Sequence, residues 1–274
     1  MEFTKYEAAG NSYIIVNQDR FQLTPASAIK CCSTVYGAGG DGIITWQKLN
    51  ELGHVAVTIF NPDGSTAEKS GNGLRILATF LFTHIFKDLS SLTLSTLGGE
   101  VTATQLPDNS QNQILLEMGK VTCQFEQKGL SDSPTFHQGS EIKTEIGAVF
   151  GHAVSIGNPH FVIFDDELAV KRVQELGPYI ENHAIFPNRT NVQFVKIVDT
   201  ENISAEIWER GAGYTLSSGS SSCAIAAVAY QLGKCGPKVT VSMPGGQLQV
   251  EISKNGTIWL TGPVNKTVEG VFNH

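Results

Sequence analysis

The chain has 274 residues, 41% of them hydrophobic and 16% charged, with a formal net charge of -7. That length can build one large core or two ordinary ones, and the absence of a lysine or arginine stripe argues against a nucleic-acid partner. The opening residues, MEFTKYEAAGNSYIIV, lack the basic and then apolar pattern of a secretion leader. The longest apolar run, LRILATFLFTHIF, is too short and too interrupted to span a bilayer, so no membrane partner is expected. Five cysteines (Cys31, Cys32, Cys123, Cys223 and Cys235) show neither CxxC pairs nor metal-ligand spacing. They fit a reducing compartment, and a cytoplasmic protein without a bound metal is expected.

In chain order, AAGNSYIIV presents Gly10 and Asn11 ahead of an apolar strand, and a helix holding Cys31 and Cys32 precedes GAGGDG. The segment VTIFNPDGSTAEKSGNG then leads from Asn61 to Ser70, Gly71 and Asn72, and the helical run LRILATFLFTHIF follows. LTLSTLGGEVTAT reads as a hairpin turning at Gly98 and Gly99. About 148 residues further on the same landmarks return in the same order. SIGNPHFVIF carries Asn158 and His160, AEIWERGAGYTLSSGSS carries Glu209, Arg210 and Ser218, and CAIAAVAYQLG is the second apolar helix. VTVSMPGGQLQVEI is the second hairpin, turning at Gly245 and Gly246. Asn61 precedes Ser70 by nine residues, and Glu209 precedes Ser218 by nine.

A repeat of this kind predicts an α+β fold of two pseudo-symmetric domains, each a mostly antiparallel sheet or barrel wrapped around a central helix. The expected domains are 1–118, joined by a returning C-terminal strand at 263–274, and 119–262. Both central helices are apolar nearly all round and so belong in the interior. Ser70 and Ser218 then stand at equivalent helix N-termini, whose unpaired N–H groups and partial positive charge suit a carboxylate. Serine before glycine is by itself an ordinary N-cap. Its recurrence inside glycine-rich loops points further, to two helix ends gripping one small anion across a cleft. Two side chains flanking one carbon could also invert it, one removing a proton from one face and the other returning a proton to the opposite face.

Over nearly its whole length the sequence resembles diaminopimelate epimerases. The resemblance rests on AAGNSYIIV, GAGGDGI, IFNPDGSTAEKSGNGLR, GNPHFV, LGPYIENHAIFPNRTNVQF and WERGAGYTLSSGSSSCA. It implies a cofactor-independent isomerase that interconverts L,L- and meso-diaminopimelate for lysine and peptidoglycan synthesis, with an amino acid as its small-molecule partner and a homodimeric state. The family's acid/base pair is two cysteines, and here those positions hold Ser70 and Ser218. A thiol near pKa 8.5 can become a thiolate at a helix end, whereas a serine hydroxyl cannot serve as a standing base. The chain as written is therefore expected to bind substrate and to epimerise it very slowly or not at all. Loss of both thiols with the rest of the motif kept favours deliberate Cys→Ser replacement over a natural variant.

By the same resemblance the reacting carboxylate falls to backbone N–H groups of Gly71, Asn72, Gly219 and Ser220. The distal amino-acid end falls to Asn11, Asn61, Asn158, Asn191, Glu209 and Arg210. His160 is expected in a supporting role rather than as the primary base. Cys223, five positions past Ser218 and off its helical face, reads as packing. Ser12, Tyr214 and Ser221 also depart from the family, which commonly has aspartate, glutamate and glycine there. Tyr214 removes a charge beside the substrate loop and suggests a shorter amino acid such as glutamate as an alternative substrate. A catalytically silent amino-acid-binding protein of the same fold is the second reading. An isomerase of the phenazine-biosynthesis type, which works with a carboxylate, ranks third.

Overall fold

The computed structural model describes residues 1–106, 113–122 and 139–272, and its chain divides into two compact units, Met1–Glu117 with Thr261–His274 and Met118–Leu260. The first unit runs β1 (Glu2–Ala8), β2 (Asn11–Asn17), α1 (Pro25–Cys32), β3 (Gly42–Lys48), β4 (His54–Phe60), β5 (Thr66–Ala67), α2 (Gly71–His84), β6 (Ser91–Thr96) and β7 (Gly99–Gln105), and β8 (Ile114–Lys120) carries the chain past its end at Glu117. The chain continues through β9 (Ser140–Thr144), β10 (Gly147–Ser155), β11 (Pro159–Phe164), α3 (Val170–Glu181), β12 (Asn191–Ile197), β13 (Asn202–Glu209), β14 (Gly213–Thr215), α4 (Gly219–Gln231), β15 (Lys238–Met243), β16 (Gly246–Ile252) and β17 (Thr257–Gly262). Strand β18 (Asn265–Val271) closes the chain and pairs antiparallel with β1.

Each unit repeats one topology. In the first, β1 and β2 pair antiparallel, β2 and β3 parallel, β3 and β4 antiparallel, β4 and β6 parallel, and β6 and β7 antiparallel. In the second, the same alternation joins β10 to β11, β12, β13, β15 and β16. The parallel joins fall where a helix intervenes, because only a long crossover can return the chain in the same direction. Thus α1 and α2 carry the two crossovers of the first unit, and α3 and α4 those of the second.

Helices α2 and α4 form the centres. Leu74, Ile76, Leu77 and Leu81 of α2 are fully buried, as are Ala224, Ile225, Ala226 and Val228 of α4. Burying each leucine or isoleucine contributes about 1.5–3 kcal/mol. No helix among the described residues is long and apolar enough to cross a membrane.

The hairpin glycines do more than turn the chain. Thr96 pairs with Gly99 and Met243 with Gly246, so Leu97–Gly98 and Pro244–Gly245 make the bends. The Gly98 N–H donates to Glu68 O at 2.8 Å and the Gly245 N–H to Leu216 O at 2.8 Å. A Cβ on Gly98 would sit 2.9 Å from that same Glu68 oxygen. Each hairpin tip therefore pins the segment that enters a site serine two residues later.

Candidate functional site

In the first unit, Ala9 and Gly10 both take positive φ (52° and 78°) and make the two-residue turn between β1 and β2, a geometry matched to the strands' twist. It delivers Asn11, buried, to the start of β2. Next to it, the N–H and hydroxyl of Ser12 both donate to Asp41 Oδ2, at 2.7 and 3.1 Å. Asn61 follows β4 in a turn closed by its own N–H to Ser65 O, 2.8 Å, with its Nδ2 donating to Ser65 Oγ at 3.0 Å. Five residues past Ser65, the backbone at Ser70 is still extended, and Ser70 caps α2 by accepting from the Gly73 N–H at 3.1 Å. The first intrahelical backbone bond is Leu74 N–H to Ser70 O, so the N–H groups of Gly71 and Asn72 precede the helix's own hydrogen-bond ladder. The side-chain oxygen of Asn72 is taken by Arg75 Nη2 at 2.9 Å, both groups lying in the interior. Tyr13 reaches from β2 to place its hydroxyl 3.1 Å from Ser70 Oγ.

The second unit builds a similar end on α4. Ser218 accepts from the Ser221 N–H at 3.4 Å, and Ser222 N–H bonds Ser218 O at 3.0 Å. Gly219 and Ser220 thus occupy the places of Gly71 and Asn72. Beneath them lies a buried polar chain. Asn158 Nδ2 is 3.4 Å from Ser220 Oγ, Asn158 Oδ1 is 2.9 Å from His160 Nε2, and His160 Nδ1 is 3.0 Å from Gln193 Nε2. Gln193 Nε2 also donates to Ser221 Oγ at 3.0 Å. Complete burial, reinforced by the positive charge of Arg210, pushes the His160 pKa down to about 3, so the imidazole is neutral and is no base in waiting.

Asn191 is a strut: its Nδ2 donates to Pro159 O at 2.8 Å and its Oδ1 accepts the Arg210 N–H at 3.0 Å. Arg210 also donates through Nη1 to Asn188 O at 3.2 Å, and Glu209 Oε1 accepts from Thr215 Oγ1 at 3.3 Å. The loop carrying this pair hangs on Glu181. One carboxylate oxygen receives Arg189 Nη1 and the Gly211 N–H, at 3.1 and 2.9 Å, and the other receives Trp208 Nε1 at 2.7 Å.

Among the described thiols none is poised to act. Burial raises the pKa of Cys31, takes Cys32 to about 12 and Cys235 to about 11, and Cys223 is wholly buried in α4. Cys123 lies outside the described residues.

The model of the family described as diaminopimelate epimerase matches residues 3–124 and 152–267. The chain belongs to the diaminopimelate epimerase family. "Diaminopimelate epimerase 2" of a Nostoc species is 42% identical to it, spanning 98% of this chain and 95% of the relative, and the diaminopimelate epimerase of Elusimicrobium minutum is 34% identical, spanning 99% of each. Solved structures share the fold at lower identity. A hydroxyproline epimerase from Agrobacterium vitis aligns with a TM-score of 0.74 at 14% identity over 98% of this chain and 91% of its own. A phenazine biosynthesis protein from Bacillus anthracis aligns with a TM-score of 0.66 at 16% identity over 98% of each. Serine holds the N-cap position of both α2 and α4.

Proposed function

We propose that this chain carries the binding apparatus of a diaminopimelate epimerase, with the reacting carboxylate held by the N–H groups of Gly71, Asn72, Gly219 and Ser220. Ser70 and Ser218 stand at the two acid/base positions. In the family reaction one group takes the Cα proton, leaving its electron pair on carbon, while the other gives a proton to the opposite face. The observation that carries the proposal is the pair of serine-capped helix ends in a chain of this family. Each hydroxyl already accepts a helix N–H, which suits capping and binding more than proton removal. In this serine form the chain binds L,L-diaminopimelate and turns it over very slowly. Asn11, Asn61, Asn158, Asn191, Glu209 and Arg210 are assigned to the distal amino-acid group, some directly and some, like Asn191, as struts.

The test restores cysteine with Ser70→Cys and Ser218→Cys together and follows solvent deuterium entering Cα of L,L-diaminopimelate. Exchange in the double variant and little in the serine form is the expected result; no exchange in the double variant sinks the proposal. A second reading, preference for a shorter amino acid such as glutamate, is supported by Tyr214, whose hydroxyl donates to Glu206 Oε2 at 2.7 Å beside the Glu209 loop. Competition binding between glutamate and diaminopimelate decides between them. A cytoplasmic homodimer is the matching expectation, checked by sedimentation.

A further inference from the structure

The polar chain under α4 contains one residue that the family reading leaves unused. Gln193 sits in β12, wholly buried between the apolar residues Val192 and Phe194, two residues after Asn191. Its Nε2 spends both hydrogens, one on His160 Nδ1 and one on Ser221 Oγ, while Oε1 has no hydrogen-bond partner. Turning the amide over would put two donors where that lone oxygen now sits and leave both unmet, so the bonding fixes this orientation. His160 Nδ1 must then accept, which makes Nε2 the protonated nitrogen. Nε2–H donates into Asn158 Oδ1, and the Asn158 amide is set with its oxygen inward. Its Nδ2 meets Ser220 Oγ at a long 3.4 Å and keeps one hydrogen with no protein partner among the described residues.

Among its described residues the first unit has no equivalent. By register Tyr13 lies opposite Gly42 as His160 lies opposite Asn191, so Ile44 stands where Gln193 does. Gly73, three residues past Ser70, stands where Ser221 does, and a Cβ there would meet Ile44 Cδ1 at 2.8 Å. An apolar contact in one half is thus a side-chain hydrogen bond in the other.

We infer that Gln193, anchored by Ser221, is a positioning residue that fixes the Asn158 amide as a hydrogen-bond donor to its ligand. The second half of the site therefore selects an anionic oxygen there, not an ammonium group. The inference deepens the binding role proposed above and rests on it for the identity of the ligand. A donor-only amide cannot accept from an ammonium, and a donor facing a carboxylate gains the extra strength of a charge-assisted bond.

Two measurements test it. Long-range proton–nitrogen NMR of the imidazoles, with His160 assigned by its loss in His160→Gln, should show His160 neutral and protonated at Nε2 from pH 5 to 9. In Gln193→Met, a near-isosteric apolar change, and in Ser221→Gly, that single tautomer should give way to a mixture. Calorimetric binding should show the unaltered chain preferring L,L-diaminopimelate over its monocarboxamide, with the preference falling about tenfold in Gln193→Met and by a few-fold in Ser221→Gly. Thermal melts confirm that each variant is folded. An Nδ1-protonated His160, or discrimination unchanged in both variants, overturns the inference. Should the unaltered chain bind no diaminopimelate, the proposed substrate fails instead, and the tautomer change between unaltered and Gln193→Met chains still decides whether Gln193 sets the network.

Discussion

The Tyr13 hydroxyl lies 3.1 Å from Ser70 Oγ, fifty-seven residues away in sequence, and the same serine oxygen accepts the Gly73 N–H at 3.1 Å. Ser70 is thereby tied both to its helix and to β2, whereas Ser218 accepts one N–H at 3.4 Å. Ser70→Ala removes the 3.1 Å partner of the Tyr13 hydroxyl and the side-chain cap on the Gly73 N–H. It should cost about 2–3 kcal/mol, against about 1 kcal/mol for Ser218→Ala. Urea denaturation of the two variants checks the ordering. A cycle with Tyr13→Phe should return a coupling of about 0.5–1 kcal/mol between Tyr13 and Ser70.

Glu181 holds up the Glu209–Arg210 loop at its base. It is buried and takes three donors, from Arg189, Trp208 and Gly211. Arg189 is partly exposed, so the ion pair itself is screened and contributes less than a dry one. The larger loss in Glu181→Ala comes from the indole and backbone N–H groups left without an acceptor, and about 2–4 kcal/mol of stability should go. Glu181→Gln keeps an acceptor and should recover roughly half of that. Calorimetry should show diaminopimelate binding weakened in both variants, more in Glu181→Ala, because the loop that carries Arg210 loses its anchor.

The features legible in the sequence were local ones. A serine before glycines and an apolar run marks a helix N-terminus within four residues, and both Ser70 and Ser218 are caps. The hairpins at Gly98 and Gly245 were equally plain, because alternation and turn residues lie side by side. The roles of Tyr13, Arg75, Glu181 and Gln193 are not legible in the sequence, for a common reason. Gln193 meets Ser221 only because β11 and β12 run parallel in a particular register, and Glu181 meets Trp208 only when α3 lies against β13. Gln193 did leave one signal, an amide flanked by apolar residues within the strand NVQFVKI, since a buried polar residue is the informative exception. Asn158 shows a different limit: its position was readable, but whether it donates or accepts depends on a histidine tautomer set by a residue thirty-five positions on.

His160 should make the chain acid-sensitive in a defined window. Its folded pKa of about 3 lies below the ordinary 6.5, lowered by burial first and by Arg210 second. The unfolded chain therefore binds the proton more readily, and stability drains as pH falls. This contribution is complete above pH 6.5 and is lost progressively toward pH 3, with a slope of up to about 1.4 kcal/mol per pH unit. Urea midpoints between pH 7 and pH 5, where few carboxylates titrate, should fall in the unaltered chain. The slope should flatten in His160→Gln.

Tyr214 and Glu206 form a compensated pair. The tyrosine hydroxyl donates to Glu206 Oε2 at 2.7 Å, and burial together with that bond pushes its pKa up to about 12, so it remains a neutral donor at any ordinary pH. Tyr214→Glu would set two carboxylates against each other across adjacent strands. Like charges at such a position are destabilising. The variant should lose about 1–2 kcal/mol at pH 7 and recover much of it at pH 5, where one carboxyl can hold a proton. Adding Glu206→Gln should relieve the loss at pH 7. If Tyr214 is also what admits a shorter amino acid, Tyr214→Glu with Glu206→Gln should raise the preference for diaminopimelate over glutamate in competition binding. Tyr214→Phe, which removes only the hydroxyl, should cost about 1 kcal/mol and leave that preference where it stands. A shift in preference with phenylalanine instead would place the effect on the Glu206 bond and not on the missing charge.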